Sequence, residues 1–141
     1  MLSALSGAGA DYLVVGAYAL AAHGYVRATG DLDLWIRPTP ENAARVYEAL
    51  RRFGAPLRDV SVQDLHTPDL VVQIGLPPRR IDLLTSIDGV AFDAAWQRRD
   101  ERTVSGLLVP LLHRDDLVQN KRASGRPQDL ADLDGLGEMP S

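Results

Sequence analysis

Asp31 and Asp33 stand two residues apart in Asp31-Leu32-Asp33-Leu34-Trp35-Ile36, a run that alternates strictly. Successive side chains of a strand point to opposite faces, so Leu32, Leu34 and Ile36 share one face and Asp31, Asp33 and Trp35 the other. Two carboxylates on one strand face repel unless something positive lies between them. Hard divalent cations prefer oxygen ligands, which makes magnesium the natural neutraliser. Alone, Asp-x-Asp is a weak signal, and an exposed pair in a loop is its commoner origin. Other features agree with the metal reading. Gly16 lies between an apolar run and a helical one, where backbone N–H groups could receive a phosphate. The polar residues Arg27 and Thr29 come just before Asp31. A third acid, Asp82, sits in Arg80-Ile81-Asp82-Leu83-Leu84, whose alternation puts Ile81 and Leu83 on one face and Arg80 and Asp82 on the other. Two carboxylates from one strand and a third from a neighbour form the ligand set of a two-metal phosphoryl-transfer centre.

The elements that must position these residues follow from pattern. Leu2 to Ala8 reads as a short helix, Tyr12 to Val15 as a buried strand and Ala17 to Ala22 as a small helix with His23 in its last turn and Gly24 after it. Thr39-Pro40-Glu41 opens a helix with an N-cap hydroxyl, proline at the first helical position and an acid in the first turn. Its apolar spacing through Ala43, Val46, Tyr47, Leu50 and Phe53 ends at Gly54. Asp69 to Ile74 and Arg80 to Leu84 form an expected antiparallel hairpin. A helix is expected around Phe92 to Arg98, a turn-and-strand piece over Thr103 to Val109, a helix from Asp115 through Lys121, and a last helix marked by Leu130, Leu133 and Leu136. The expected class is α+β: a small mixed sheet with helices on one side and a C-terminal helical pair at about 113–136, all in one domain spanning 1–141.

Composition narrows the function classes. The chain has 141 residues, 15 Lys+Arg against 19 Asp+Glu, a net charge of −4 and no cysteine. Cysteine-ligated zinc, iron–sulfur clusters and disulfide scaffolds are excluded. An acidic balance argues against coating DNA by charge alone. Every basic residue is arginine except Lys121. The N-terminus has no basic segment ahead of its apolar part, and the run from Tyr12 to Ala22 is too short to span a bilayer, so a cytoplasmic protein without membrane contact is expected.

Rival readings sit beside each candidate. His23, His66 and His113 have no metal-ligand spacing. Trp35 and Ile36 stand where an EF-hand would need a ligand and a glycine. Trp35 could stack on a base or cap the core beneath the acids. Arg51-Arg52, Arg79-Arg80 and Arg98-Arg99 with Arg102 could grip an RNA acceptor, although solvated surface pairs are the commoner case. Asp129 and Asp132 suit the first turns of a helix after Pro127. Lys121 and Arg126 could pair with them and build a helical lid, a structural alternative to nucleotide contact.

Val14-Val15-Gly16-Ala17-Tyr18-Ala19-Leu20, His23-Gly24, Arg27, Thr29 and Asp31-Leu32-Asp33-Leu34 together resemble the signature of the nucleotidyltransferase fold superfamily, typified by DNA polymerase β and the minimal nucleotidyltransferases. Arg80-Ile81-Asp82-Leu83-Leu84 resembles the strand bearing that family's third carboxylate. Asn120-Lys121-Arg122-Ala123, Gly125-Arg126-Pro127 and Asp129-Leu130-Ala131-Asp132-Leu133 resemble the C-terminal signature of AbiEii-type proteins, some of which are toxins or antitoxins. The resemblance runs from about Leu13 to Leu136. It implies Mg²⁺-dependent transfer of a nucleoside monophosphate from an NTP, ATP among them, to an acceptor hydroxyl with loss of pyrophosphate. Asp31 and Asp33 would hold two Mg²⁺, with Mn²⁺ as a substitute. Asp82 would complete the metal that activates the acceptor and could take its proton. Gly16, Ala17, Arg27, Thr29 and Lys121 would bind the nucleotide. The acceptor would be an RNA end such as tRNA, a protein hydroxyl or a small molecule such as an aminoglycoside. A cognate toxin or antitoxin and a homodimer are further expected partners. The family's usual Gly-Gly or Gly-Ser is Gly16-Ala17 here, so a hydroxyl toward the phosphates is missing. That departure keeps open a binding module without turnover. Three of the negative charges are the implied metal ligands, so the acidic balance does not exclude an RNA acceptor.

Overall fold

The computed structural model describes residues 1–27, 31–75 and 80–139. The alternation read in the sequence organises it. Strand β1 (Tyr12–Val15) is buried at every position. A strand with two apolar faces must be covered on both. Tyr12 and Val14 enter one core with Leu34, Ile36, Leu83 and Leu111, and Leu13 and Val15 enter a second with Trp35. Helices α1 (Leu2–Gly7) and α3 (Pro40–Phe53) supply Leu5, Val46 and Leu50 to the first core. Helices α2 (Gly16–Ala22), α4 (Phe92–Arg98) and α5 (Arg114–Ser124) supply Leu20, Phe92 and Leu117 to the second. The expectation of helices on one side is therefore corrected: they pack on both.

Among the described residues, six strands form one mixed sheet in the order β3-β4-β2-β1-β6-β5. These are β1, β2 (Asp31–Ile36), β3 (Val71–Ile74), β4 (Arg80–Leu84), β5 (Asp100–Val104) and β6 (Leu107–Leu111). The β3–β4 hairpin is antiparallel as the sequence predicts, and so are β5–β6 and β1–β2. The parallel pairs are β2–β4 and β1–β6. The expected turn-and-strand piece, Thr103 to Val109, proves to be the end of β5, the turn and the start of β6 in one hairpin.

Helix α3 begins where its cap predicts, with the Thr39 hydroxyl accepting from the Asn42 N–H at 3.3 Å, and it stops at Gly54 with φ 85°. Phe53, at its end, is half exposed. After α5, Gly125 turns the chain in the left-handed region and α6 (Pro127–Gly135) begins at once. A Cβ at Gly135 would come within 2.6 Å of the Tyr25 ring, so this glycine lets α6 close on the segment that follows α2. Among the described residues no helix is long and apolar enough to cross a membrane.

Candidate active site

Parallel pairing fixes the acids. In the β2–β4 ladder Asp33 lies opposite Asp82 and Asp31 opposite Arg80. Because i and i+2 share a face, Asp31, Asp33, Arg80 and Asp82 form one polar patch at the start of both strands. Farther along β2 the same face carries Trp35, which is buried and meets Phe92 edge to face at 5.0 Å. Trp35 is thus a core residue beneath the acids and not a stacking platform.

Asp33 is tucked against Gly16. A Cβ at Gly16 would collide with Asp33 Oδ2 and lie 3.1 Å from its Cγ, and Gly16 itself has φ +68°. The glycine expected to cradle phosphate is required here to make room for a carboxylate. Gly16→Ala should cost about 1–2 kcal/mol from the backbone conformation alone, before any clash with Asp33. Chemical denaturation of the variant measures it, and an unchanged midpoint would contradict this packing. Ala17 is buried and does not line the adjoining cleft.

Burial, then the neighbouring charges of Asp82 and Asp31, push the Asp33 carboxyl up to about 6. Lys121 and Arg80 pull it down without prevailing. Arg80 is the immediate counter-charge of the other two acids: its Nη2 donates to Asp31 Oδ2 at 2.7 Å and to Asp82 Oδ2 at 3.4 Å. Its Nε lies 3.1 Å from Asp82 Oδ1, yet neither of these buried atoms makes an aligned hydrogen bond. Among the described residues, no three His, Cys, Asp or Glu side chains converge closely enough to enclose a metal ion.

A cleft of about 530 Å³ opens beside Asp33, lined by Val15 and Gly16, by Ser86 to Asp88, and by Asn120, Lys121, Arg126 and Asp129 of the C-terminal helices and the turn between them. Asp31 and Asp82 lie outside that lining. The lone lysine reaches the cleft with its charge committed: Lys121 Nζ is 2.9 Å from Asp132 Oδ2 and 3.3 Å from Asp129 Oδ1. Arg27 also lines the cleft and binds Asp132 through Nε at 2.9 Å and Nη2 at 3.3 Å. Both Asp129 and Asp132 are nearly inaccessible. Burial would raise both carboxyls. For Asp129 the Arg126 hydrogen bond and Lys121 outweigh it, and for Asp132 the hydrogen bonds from Lys121, Arg27 and Gln128 do so, so both stay below the usual range. Arg27 and Lys121 therefore join α6 to the rest of the site. Thr29 lies outside the described residues, as does Arg79.

A crystal structure of a protein from Thermotoga maritima, described as a "putative nucleotidyltransferase", superposes on this chain with a TM-score of 0.61, covering 94% of this chain and 85% of that one. The chain has a nucleotidyltransferase-like fold. At 17% identity the likeness carries the fold alone. No family model matches the chain, and no curated protein matches it in sequence. Within this nucleotidyltransferase-like fold, Arg80 is the site residue that sequence reasoning set aside as half of a surface pair. The signal was present: Arg80 shares its strand face with Asp82. The other arginine pairs find partners away from the acids, Arg51 and Arg52 on Glu48, Arg99 on Glu101, and Arg98 on the buried carboxylate of Asp116.

Proposed function

We propose that this chain is a Mg²⁺-dependent nucleotidyltransferase that moves a nucleoside monophosphate from an NTP to an acceptor hydroxyl and releases pyrophosphate. The observation that carries this reading is the register that sets Asp33 beside Asp82 with Asp31 on the same face. The donor type suits a hard divalent cation, since it is all carboxylate and Asp33 is held near other negative charge that a cation would relieve. With Arg80 on Asp31 and Asp82, however, the three side chains do not converge to enclose one. Asp31 and Asp33 would hold both ions and Asp82 one, with Mn²⁺ able to substitute. When bound, such ions offset charge on the attacking and leaving oxygens.

The chain's own residues do the rest. Asp82 Oδ1 would accept the proton of the acceptor hydroxyl. The cleft is within the size range of small-molecule sites. With their charges engaged by Asp129 and Asp132, Lys121 and Arg27 hold the α5–α6 wall in place while still lending positive potential to bound phosphates. Membership among AbiEii-type proteins, on the Asn120 to Leu133 stretch, belongs to the same reading, with an RNA end, a protein or a small molecule as acceptor.

A second reading is a binding module without turnover, such as a toxin–antitoxin partner. The Arg80 guanidinium on the acids favours it, as does Ala17 in place of a hydroxyl-bearing residue. Incubation with α-labelled NTPs, Mg²⁺ and bulk tRNA or cell lysate separates the two. Label transfer that falls at least about a hundredfold in Asp31→Asn/Asp33→Asn is the expected result. NTP binding without transfer favours the module, and neither binding nor transfer with any NTP removes the enzyme reading.

A further inference from the structure

We propose that the Arg80 guanidinium is a built-in counter-cation of the Asp31/Asp33/Asp82 triad, which a divalent metal ion must displace to bind. This rests on the metal-site reading above and adds the residue that controls loading of that site.

The argument is one of shared oxygens. Arg80 lies directly opposite Asp31 in the ladder and two residues before Asp82, so its side chain is delivered onto the acid face by the same register that assembles the triad. It takes up Asp31 Oδ2 at 2.7 Å, and it stands 3.1 Å from Asp82 Oδ1 and 3.4 Å from Asp82 Oδ2. A metal ion needs those lone pairs, and a guanidinium within a few ångströms of it repels it besides. Among the described residues Arg80 meets two of the three carboxylates, Asp31 and Asp82, and not Asp33 beside them, so a doubly charged ion has reason to enter. Lys121 does not fill the deficit, because its ammonium is shared by Asp129 and Asp132.

The hold on Asp82 is also imperfect. Arg80 Nε and Asp82 Oδ1 are close, buried and misaligned, and each lacks a hydrogen bond. Arg80 presents to Asp82 the same Nε/Nη2 fork that Arg27 presents to Asp132, but its Nη2 is shared with Asp31 and its Nε is misaligned. A cation that meets both acids in better geometry can therefore take its place. The consequence is that the bare ion binds weakly, whereas an ion arriving with a triphosphate brings an anion for the displaced guanidinium.

Metal binding to the intact protein tests this directly. Mn²⁺ affinity is measured by electron paramagnetic resonance for wild type, Arg80→Gln and Arg80→Lys, with and without a non-hydrolysable ATP analogue. Arg80→Gln should bind bare Mn²⁺ at least about tenfold more tightly than wild type, with Arg80→Lys between them. The analogue should improve Mn²⁺ affinity more in wild type than in Arg80→Gln. Equal or weaker Mn²⁺ binding by a folded Arg80→Gln overturns the displacement and leaves the metal site standing. Failure of every protein to bind Mn²⁺, even with the analogue, overturns the metal site and the displacement together. Should Arg80→Gln not fold, the Arg80 side-chain N–H resonance in wild type decides: it must shift as Mg²⁺ is added, and Mg²⁺ binding that leaves it unmoved overturns the proposal.

Discussion

Asp33→Asn should stabilise the metal-free protein near pH 8 by a few degrees in melting temperature while reducing nucleotidyl transfer at least about a hundredfold. Asp33 is half-buried beside two other acids, and its carboxyl is raised from 3.8 to about 6, chiefly by burial and then by Asp82 and Asp31. Between those two values the folded state holds a proton that the unfolded state has already released. Stability from this group therefore falls as pH rises through that window and levels off above it. An amide of nearly equal shape carries no charge to penalise and fits the space that Gly16 leaves open. The variant's advantage should be nil near pH 4, grow to about pH 6.5 and then hold steady. Melting curves in chelator from pH 4 to 8 read it out. A pH-independent difference, or a loss of stability at pH 8, would show that Asp33 is not under electrostatic strain. Stability and activity moving in opposite directions is the mark of a group kept for function.

Local signals were strong enough to reveal most of the elements. Thr39-Pro40-Glu41 carries its own start signal and Gly54 its own stop, and both hold in α3. The β3–β4 hairpin joins neighbours in sequence, so alternation and a short connection suffice. Sheet order is a different matter. Nothing in Leu107 to Leu111 announces that it will pair in parallel with β1, almost a hundred residues earlier, because that choice is made by packing between distant segments. The coverage of both faces was in principle legible in Tyr12-Leu13-Val14-Val15, whose four apolar residues leave no face for water. Of the site, alternation gave Asp31, Asp33 and Asp82 a common orientation, while the register that makes Asp33 and Asp82 neighbours is tertiary. Arg80 was hidden by its sequence neighbour: Arg79-Arg80 reads as a charged pair, whereas the alternation of Arg80-Ile81-Asp82 sets Arg80 on the face of Asp82.

The same distinction between charge and place governs Lys121→Ala. Deleting this lysine should lower stability by about 3 kcal/mol, the low end for breaking a buried pair, because two buried carboxylates lose the cation they share while each keeps one arginine. Lys121 is nearly inaccessible, Asp129 and Asp132 more so, and its ammonium stands 3.3 and 2.9 Å from them. Arg126 and Arg27 remain on these acids and soften the loss, yet neither replaces the charge that joins the two. In wild type both carboxyls lie below their ordinary values, so the ion-pair contribution is complete above pH 4 and disappears only as acid protonates them. In Lys121→Ala each carboxylate has lost one of the charges that hold its proton off, so protonation costs the variant less than it costs wild type. The deficit should therefore shrink as pH falls from 7 towards 4, and Asp129→Asn/Asp132→Asn in the Lys121→Ala background should recover part of it at pH 7. Denaturation at two pH values checks the first expectation, and the triple variant checks the second. Transfer activity then locates the role of the charge. If the repaired triple variant transfers label normally, Lys121 serves the cleft by holding α6 against α5. If it is stable and inactive, the ammonium acts on the phosphates directly, and its burial between two acids is what keeps it aimed at the cleft.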